Sequence, residues 1–278
     1  MEFGAFVPIA NECLPVSTTR RAVPSAAPDL PPDTPYRRAD VARRIADLIR
    51  SDLHAGRLDE QLPYEWDLLR RYHASRGATR EALRLLRDQG VLRRLPGVGT
   101  LRRVDRTAIR MHQAAAAIQI VDADTMDGGN IGGARMQSET IAHDRLAAPA
   151  AVAEALEIPV GEDVLFTEAL IRIDGTPHRL RSSWIPVSRV PAMDRDCVTR
   201  FPPDVLSQLL TMSLSFRRFV IEATTADAAV ADLLEIEPGA ATLVNERVLQ
   251  TAEGLPIEFG FTRHRGDRSF FYAAGTDS

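Results

Sequence analysis

Leu62-Pro63-Tyr64-Glu65-Trp66-Asp67-Leu68, followed by Ser75-Arg76-Gly77-Ala78-Thr79-Arg80-Glu81-Ala82-Leu83-Arg84-Leu85-Leu86, decides the fold of the N-terminal part of this 278-residue chain. The first stretch predicts a short helix over Glu65–Tyr72 with Leu68, Leu69 and Tyr72 turned inward. His73-Ala74 makes a tight turn. Ser75 is a good N-cap for a second helix over Arg76–Gln89, which Gly90 ends. Upstream, Val41, Ile45, Leu48, Ile49 and Leu53 recur at helical spacing. They predict a helix from about Asp40 to Leu53, with Asp40 as its cap and Gly56 just past its end. Downstream, Val91–Leu95 and Thr100–Arg103 read as short strands around the turn Pro96-Gly97-Val98-Gly99. Three helices and a hairpin, in that order, make a winged helix-turn-helix.

The charge pattern says what such a module would bind. Residues 36–104 hold 16 Arg against 9 Asp and Glu, a net of +7. The whole chain carries −4, so the remainder carries −11. A basic segment inside an acidic protein is the mark of a polyanion-binding module. Arg76, Arg80, Arg84 and Arg87 share one face of their helix, while Leu83 and Leu86 lie on the other. That helix is expected to enter the major groove, where arginine bonds guanine O6 and N7 bidentately. Its N-terminus near Ser75 attracts phosphate, and the wing adds Arg93, Arg94, Arg102 and Arg103. The candidate DNA-binding residues are Ser75, Arg76, Thr79, Arg80, Arg84, Arg94 and Gly97. The expected partner is double-stranded operator DNA. One recognition helix reads a half-site, so a homodimer is expected.

Composition excludes other classes. All 34 basic residues are arginine, which removes Schiff-base, P-loop and Ser-Lys chemistry. Cys13 and Cys197 are too few and too far apart for a disulfide scaffold, and they fit a reducing cytoplasm. His54, His73, His112, His143 and His178 form no metal-spaced pair, so neither a metal nor a cofactor is expected. No apolar run reaches the ~20 residues that cross a bilayer. Residues 1–35 hold seven of the 18 prolines and read as a disordered arm. Residues 105–133, with Asp127-Gly128-Gly129-Asn130-Ile131-Gly132-Gly133, read as a linker.

Residues 134–278 contain an internal repeat. Ala151–Gly161 resembles Ala229–Gly239, each copy reading as a short helix ended by glycine. Each is followed by a strand (Val164–Ile173; Thr242–Thr251), a turn and a further strand. Helix plus hairpin, twice, predicts an α+β domain with an antiparallel sheet. On the strand Ile257–His264, apolar Ile257, Phe259 and Phe261 alternate with Glu258, Gly260, Thr262 and His264. A repeat offset of 79 makes Arg179, Arg181 and Ser183 the counterparts of Glu258, Gly260 and Thr262. The candidate effector-binding residues are therefore Arg179, Arg181, Ser183, Glu258 and His264, suited to a small polar or anionic metabolite. Trp66 and Trp184 read as core or interface fillers, and Glu168 with Arg172 as a strand-face ion pair.

The helix-turn-helix stretch, with Gly90-Val91-Leu92 and Gly97-Val98-Gly99-Thr100, resembles the GntR family of bacterial transcription regulators over about 65 residues. Trp66 stands where that family usually has an arginine that contacts DNA, and Ala78 where it commonly has Thr or Pro. The C-terminal half resembles the UTRA ligand-binding domain of the HutC-type members, which has a chorismate-lyase-like fold. The residues that carry this are the repeated Leu-Glu-Ile, Asp174-Gly175-Thr176-Pro177, Ser183-Trp184-Ile185-Pro186, Pro256-Ile257-Glu258-Phe259 and Arg265-Gly266-Asp267-Arg268. The positions that hold a sugar phosphate in some members match Ala169, Ile171 and Arg181 here, which points away from that ligand. The resemblance implies an effector-controlled DNA-binding regulator, a repressor, with no catalytic residues. An enzyme acting on a small acid on the lyase-like fold is the alternative.

Overall fold

The computed structural model describes residues 35–103, 130–131, 134–189 and 214–269, with side chains over 40–103, 137–189 and 214–269. The arm read over 1–35, Pro35 apart, and the linker read over 105–133, Asn130–Ile131 apart, lie outside the described residues.

Helix α1 runs Pro35–His54, five residues earlier than the periodicity predicts. The apolar stripe begins only at Val41, whereas proline is compatible with a first helical turn. Ala42, Ile45, Leu48, Ile49 and Leu53 are buried along one face. Helix α2, Glu65–Arg71, and helix α3, Arg76–Asp88, follow. The Ser75 hydroxyl accepts from the Ala78 amide at 3.3 Å, as its cap position requires. Strands β1 (Leu92–Leu95) and β2 (Gly99–Arg102) pair antiparallel as a wing. Gly97 turns it at φ +77°, a conformation that favours glycine. Gln61 adds a bridge to Leu101 beside β2.

The second unit is a seven-stranded antiparallel sheet in the order β3-β4-β5-β6-β9-β8-β7. Its strands are β3 (Asn130–Ile131), β4 (Ala134–Ala147), β5 (Asp163–Ile173), β6 (Thr176–Pro186), β7 (Leu214–Thr225), β8 (Ala241–Thr251) and β9 (Pro256–Arg265). Asn130 and Ile131, read from sequence as linker, pair with Arg135 and Ala134. Helices α4 (Ala150–Leu156) and α5 (Ala228–Leu234) each precede a hairpin. The repeat is thus β4-α4-β5-β6 and β7-α5-β8-β9. Its two halves meet at the centre, where Ser182 on β6 pairs with Phe261 on β9. These two residues are also 79 apart, so the repeat offset and the register place a pseudo-twofold axis between them.

One expectation about the helices changes. The left-handed residue that ends each is a glutamate, Glu157 at φ +53° and Glu235 at φ +52°. Gly161 and Gly239 instead turn the chain a few residues later, at φ +87° and +86°.

Core packing joins the two units. Phe166, Trp184, Phe259 and Phe261 form an aromatic cluster with ring centres 5.0–6.0 Å apart. It belongs to one continuous buried cluster with α1, α3 and α4. The fold therefore seats the first helix of the DNA-binding module on one face of the sheet.

Candidate functional site

The recognition face is built on α3. The side chains of Arg76, Arg80 and Arg84 are 72%, 64% and 51% exposed, so their guanidinium groups reach outward. Each already has an anionic partner. Arg80 Nε donates to Glu65 Oε1 and Oε2 at 3.0 Å, and Arg76 Nε lies 3.5 Å from Glu65 Oε1. Arg84 bonds Glu81 and Asp88 on its own helix. The arginine face is thus less free of acids than its sequence spacing implies. Exposed ion pairs of this kind are worth little, so a phosphate or base edge can replace the carboxylates. Arg94 and Gly97 are exposed on the wing.

Thr79 departs from expectation. It is fully buried, and its hydroxyl donates to the Ser75 carbonyl at 3.1 Å. It fixes the start of α3 and does not face outward. Trp66, read as a filler, is 62% exposed, whereas Trp184 is buried at 1%.

The polar face of the sheet centres on Glu258, which is fully buried. Arg247 donates to both its oxygens, from Nη2 to Oε1 at 2.7 Å and from Nε to Oε2 at 3.1 Å. Arg181 Nη2 donates to Oε1 at 3.1 Å, and the Ser183 hydroxyl donates to the same oxygen. Burial pushes the carboxyl pKa upward, but the Arg247 and Arg181 charges and these hydrogen bonds outweigh it, lowering it to about 2. Arg247 Nη1 donates to Thr262 Oγ1 at 2.7 Å, and Asn245 shares a 3.0 Å hydrogen bond with His264. Arg179 lies opposite His264 in the β6–β9 register. At Gly260 a Cβ would stand 2.7 Å from the Ser182 carbonyl and 3.1 Å from Glu258 Oε1, so only glycine fits beside the cluster.

Of the five candidate effector residues, Arg181, Ser183 and Glu258 are in direct contact, and Arg179 and His264 adjoin them. Sequence reasoning missed Arg247, the main partner of Glu258, along with Asn245. Both lie on β8, where alternation alone would have placed Asn245 and Arg247 on one face and Glu246 on the other.

The opposite face carries a second set of buried charges, whose pairing with α1 the sequence does not show. Arg43 Nη2 of α1 donates to Glu168 Oε2 at 2.7 Å and to Asp40 Oδ1 at 2.9 Å. Burial pushes the Glu168 carboxyl up, against the pull of Arg43. The Glu168–Arg172 pair does not form; Arg172 bonds Glu235 at 2.9 Å. Four residues along an extended strand span about 13 Å, so the two side chains share a face but stand too far apart to pair. Arg263 of β9 bonds Asp47, and Ser51 Oγ donates to Glu246 Oε1 at 2.9 Å. Arg50 Nη1 lies 3.0 Å from Glu222 Oε2. His54 sits between Glu222 and Glu246, at 3.4 and 3.5 Å.

A cavity of about 310 Å³ opens between the units, lined by Arg57, Glu154, Glu157, Arg217 and Arg218 among others. Its charges are already engaged: Arg57 and Glu154 are 3.1 Å apart, Arg217 bonds Glu157, and Arg218 lies 3.1 Å from Glu246. In the Glu258 cluster two arginines face one carboxylate. No group of three or more metal-ligating side chains occurs among the described residues. No helix there is long and apolar enough to cross a membrane.

Comparison with known proteins matches residues 41–101 to the bacterial regulatory proteins of the gntR family and residues 132–269 to the UTRA domain. An HTH-type transcriptional regulator of Rhizobium meliloti is 27% identical over 235 residues, 81% of this chain and 91% of that one. An Escherichia coli K12 protein named "Probable fructoselysine utilization operon transcriptional repressor" is 31% identical over 156 residues, 56% of this chain and 60% of its own length. The crystal structure of PhnF from Mycobacterium smegmatis is 22% identical, with 84% of this chain and 100% of that chain covered and a TM-score of 0.46. The chain belongs to the GntR family of bacterial regulatory proteins, its DNA-binding domain followed by a UTRA domain.

Proposed function

We propose that the protein is a cytoplasmic, homodimeric repressor without catalytic activity, released from its operator by a small acidic metabolite. Arg76 and Arg80 read bases, Ser75 and the start of α3 hold phosphate, and Arg94 and Gly97 on the wing hold backbone. Arg181, Ser183, Glu258, Arg179 and His264, with Arg247 and Asn245, form the effector site. Arg181, Arg247 and Glu258 together carry +1 in a buried setting, which favours an anionic guest. The DNA-binding domain spans 36–104 and the effector domain 134–278, with β3, Asn130–Ile131, added at the edge of its sheet.

The observation that carries this reading is the back-to-back arrangement on β8 and β9. Asn245 and Arg247 flank Glu246, which bonds Ser51 of α1. Thr262 and His264 flank Arg263, which bonds Asp47 of α1. A ligand that shifts these strands on one face acts on the helix seated on the other. It moves the DNA-binding heads only so far as it binds the two arrangements unequally.

The test uses the full-length protein with the DNA next to its own gene. Small carboxylic acids are screened for a raised unfolding temperature, and each hit is then tested for operator release. An acid that stabilises the protein and weakens operator binding supports the reading. Hits that all leave operator binding unchanged overturn it.

A further inference from the structure

The most exposed large apolar side chains among the described residues are Tyr64, at 86%, and Trp66, at 62%. Tyr64 immediately precedes α2, and Trp66 lies in its first turn. Core contacts of α2 come from Leu68 and, just beyond its end, Tyr72, so Trp66 has no packing duty. Its neighbour Glu65 bonds Arg80 and approaches Arg76, which sets the first turn of α2 against the start of the recognition helix. One turn on, the Arg70 guanidinium stands 5.5 Å from the Trp66 ring centre, a contact that restrains the indole. An apolar plate is thus held at the edge of a surface made by Arg70, Arg76 and Arg80.

The charge of that surface selects a polyanion as its occupant, and duplex DNA offers one apolar group in its major groove, the thymine C5 methyl. We infer that Trp66 is a specificity-determining residue that packs on a thymine methyl beside the bases read by Arg76 and Arg80. This rests on the DNA-binding reading above and adds to it a base preference that arginine cannot supply.

The experiment begins with selection from random duplex DNA by the full-length protein, its Trp66→Ala variant and its Trp66→Arg variant. Each thymine of the half-site selected by the wild type is then replaced singly by uracil. That change deletes the methyl and keeps every hydrogen-bonding group. One position is expected where uracil weakens wild-type binding about fourfold, the worth of one methyl-sized group removed from water. Trp66→Ala is expected to be indifferent to uracil there while unfolding at the wild-type temperature. Trp66→Arg is expected to select guanine at that position. Wild-type indifference to every uracil, or a penalty that survives in Trp66→Ala, overturns the assignment. Failure of the wild type to enrich any half-site overturns the DNA-binding reading itself, and the assignment with it.

Discussion

Arg263 and Asp47 are 216 residues apart and form an ion pair buried between the sheet and α1, with side chains 6% and 2% exposed. A buried pair is weak evidence of stability, yet removing one partner strands the other charge. Asp47→Ala is expected to destabilise the full-length protein by about 3–5 kcal/mol in urea unfolding. The double change Asp47→Leu with Arg263→Met is expected to recover most of that loss. A double variant as unstable as the single one would mean that the charges do more than compensate each other.

Acid should uncover Glu258. Its folded pKa of about 2 lies below the ordinary 4.5. The stability it contributes is therefore present above pH 4.5 and lost as pH falls toward 2. By linkage, its magnitude is on the order of 3 kcal/mol. Glu168, raised by burial, works in the opposite sense, its contribution fading as pH rises. Glu258→Gln is expected to be less stable at pH 7 and to lose less stability than the wild type between pH 4.5 and 2. Equal acid slopes for the two proteins would contradict the pairing.

On the recognition face, Arg76→Ala and Arg80→Ala are each expected to cost ~1–3 kcal/mol at a cognate half-site and less on random DNA. Arg94→Ala is expected to weaken all sequences about equally. Arg84→Ala should cost less than either, because two carboxylates, Glu81 and Asp88, hold that one guanidinium, whereas Arg76 and Arg80 share the single carboxylate of Glu65. Titrations on cognate and random duplexes at one salt concentration separate these outcomes.

Glu65→Gln removes the carboxylate that Arg76 and Arg80 share. Tighter binding to random DNA is expected at low salt, by up to about fivefold, the range of an exposed ion pair. Fluorescence anisotropy on a random duplex reads it directly. Weaker binding would show that Glu65 holds the arginines in place for DNA instead of competing with it.

Arg181→Gln leaves Arg247 on Glu258, so the fold should survive. Operator affinity without ligand is expected to be unchanged, while release by the stabilising acid is lost. Normal release would place the effector elsewhere.

Much of this was legible in the sequence because its elements have local causes. Ser75 caps α3 as read, and period two on β9 put Glu258, Thr262 and His264 on one face. What failed to show was pairing between distant elements. Arg247 was invisible as the partner of Glu258 because the β8–β9 register is not written in either strand alone. Thr79 is expected on the DNA face, although it lies one turn before the buried Ala82 and Leu83 and shares their side of α3. Asp40, Arg43, Asp47, Arg50 and His54 form a polar stripe along α1. An amphipathic pattern cannot tell water from a protein surface that carries the complementary charges.

That stripe also bears on how such regulators can be shuffled in evolution. A DNA-reading head taken from a relative would arrive with its own first helix. Unless it brought counterparts of Arg43, Asp47 and Arg50, it would leave Glu168, Arg263 and Glu222 facing nothing suitable. Inheritance of the two halves is therefore coupled: a change of sign on one side of the seam favours a matching change on the other. New operator preferences are most easily acquired at exposed positions such as Trp66 and Arg84, where substitution leaves the seam intact.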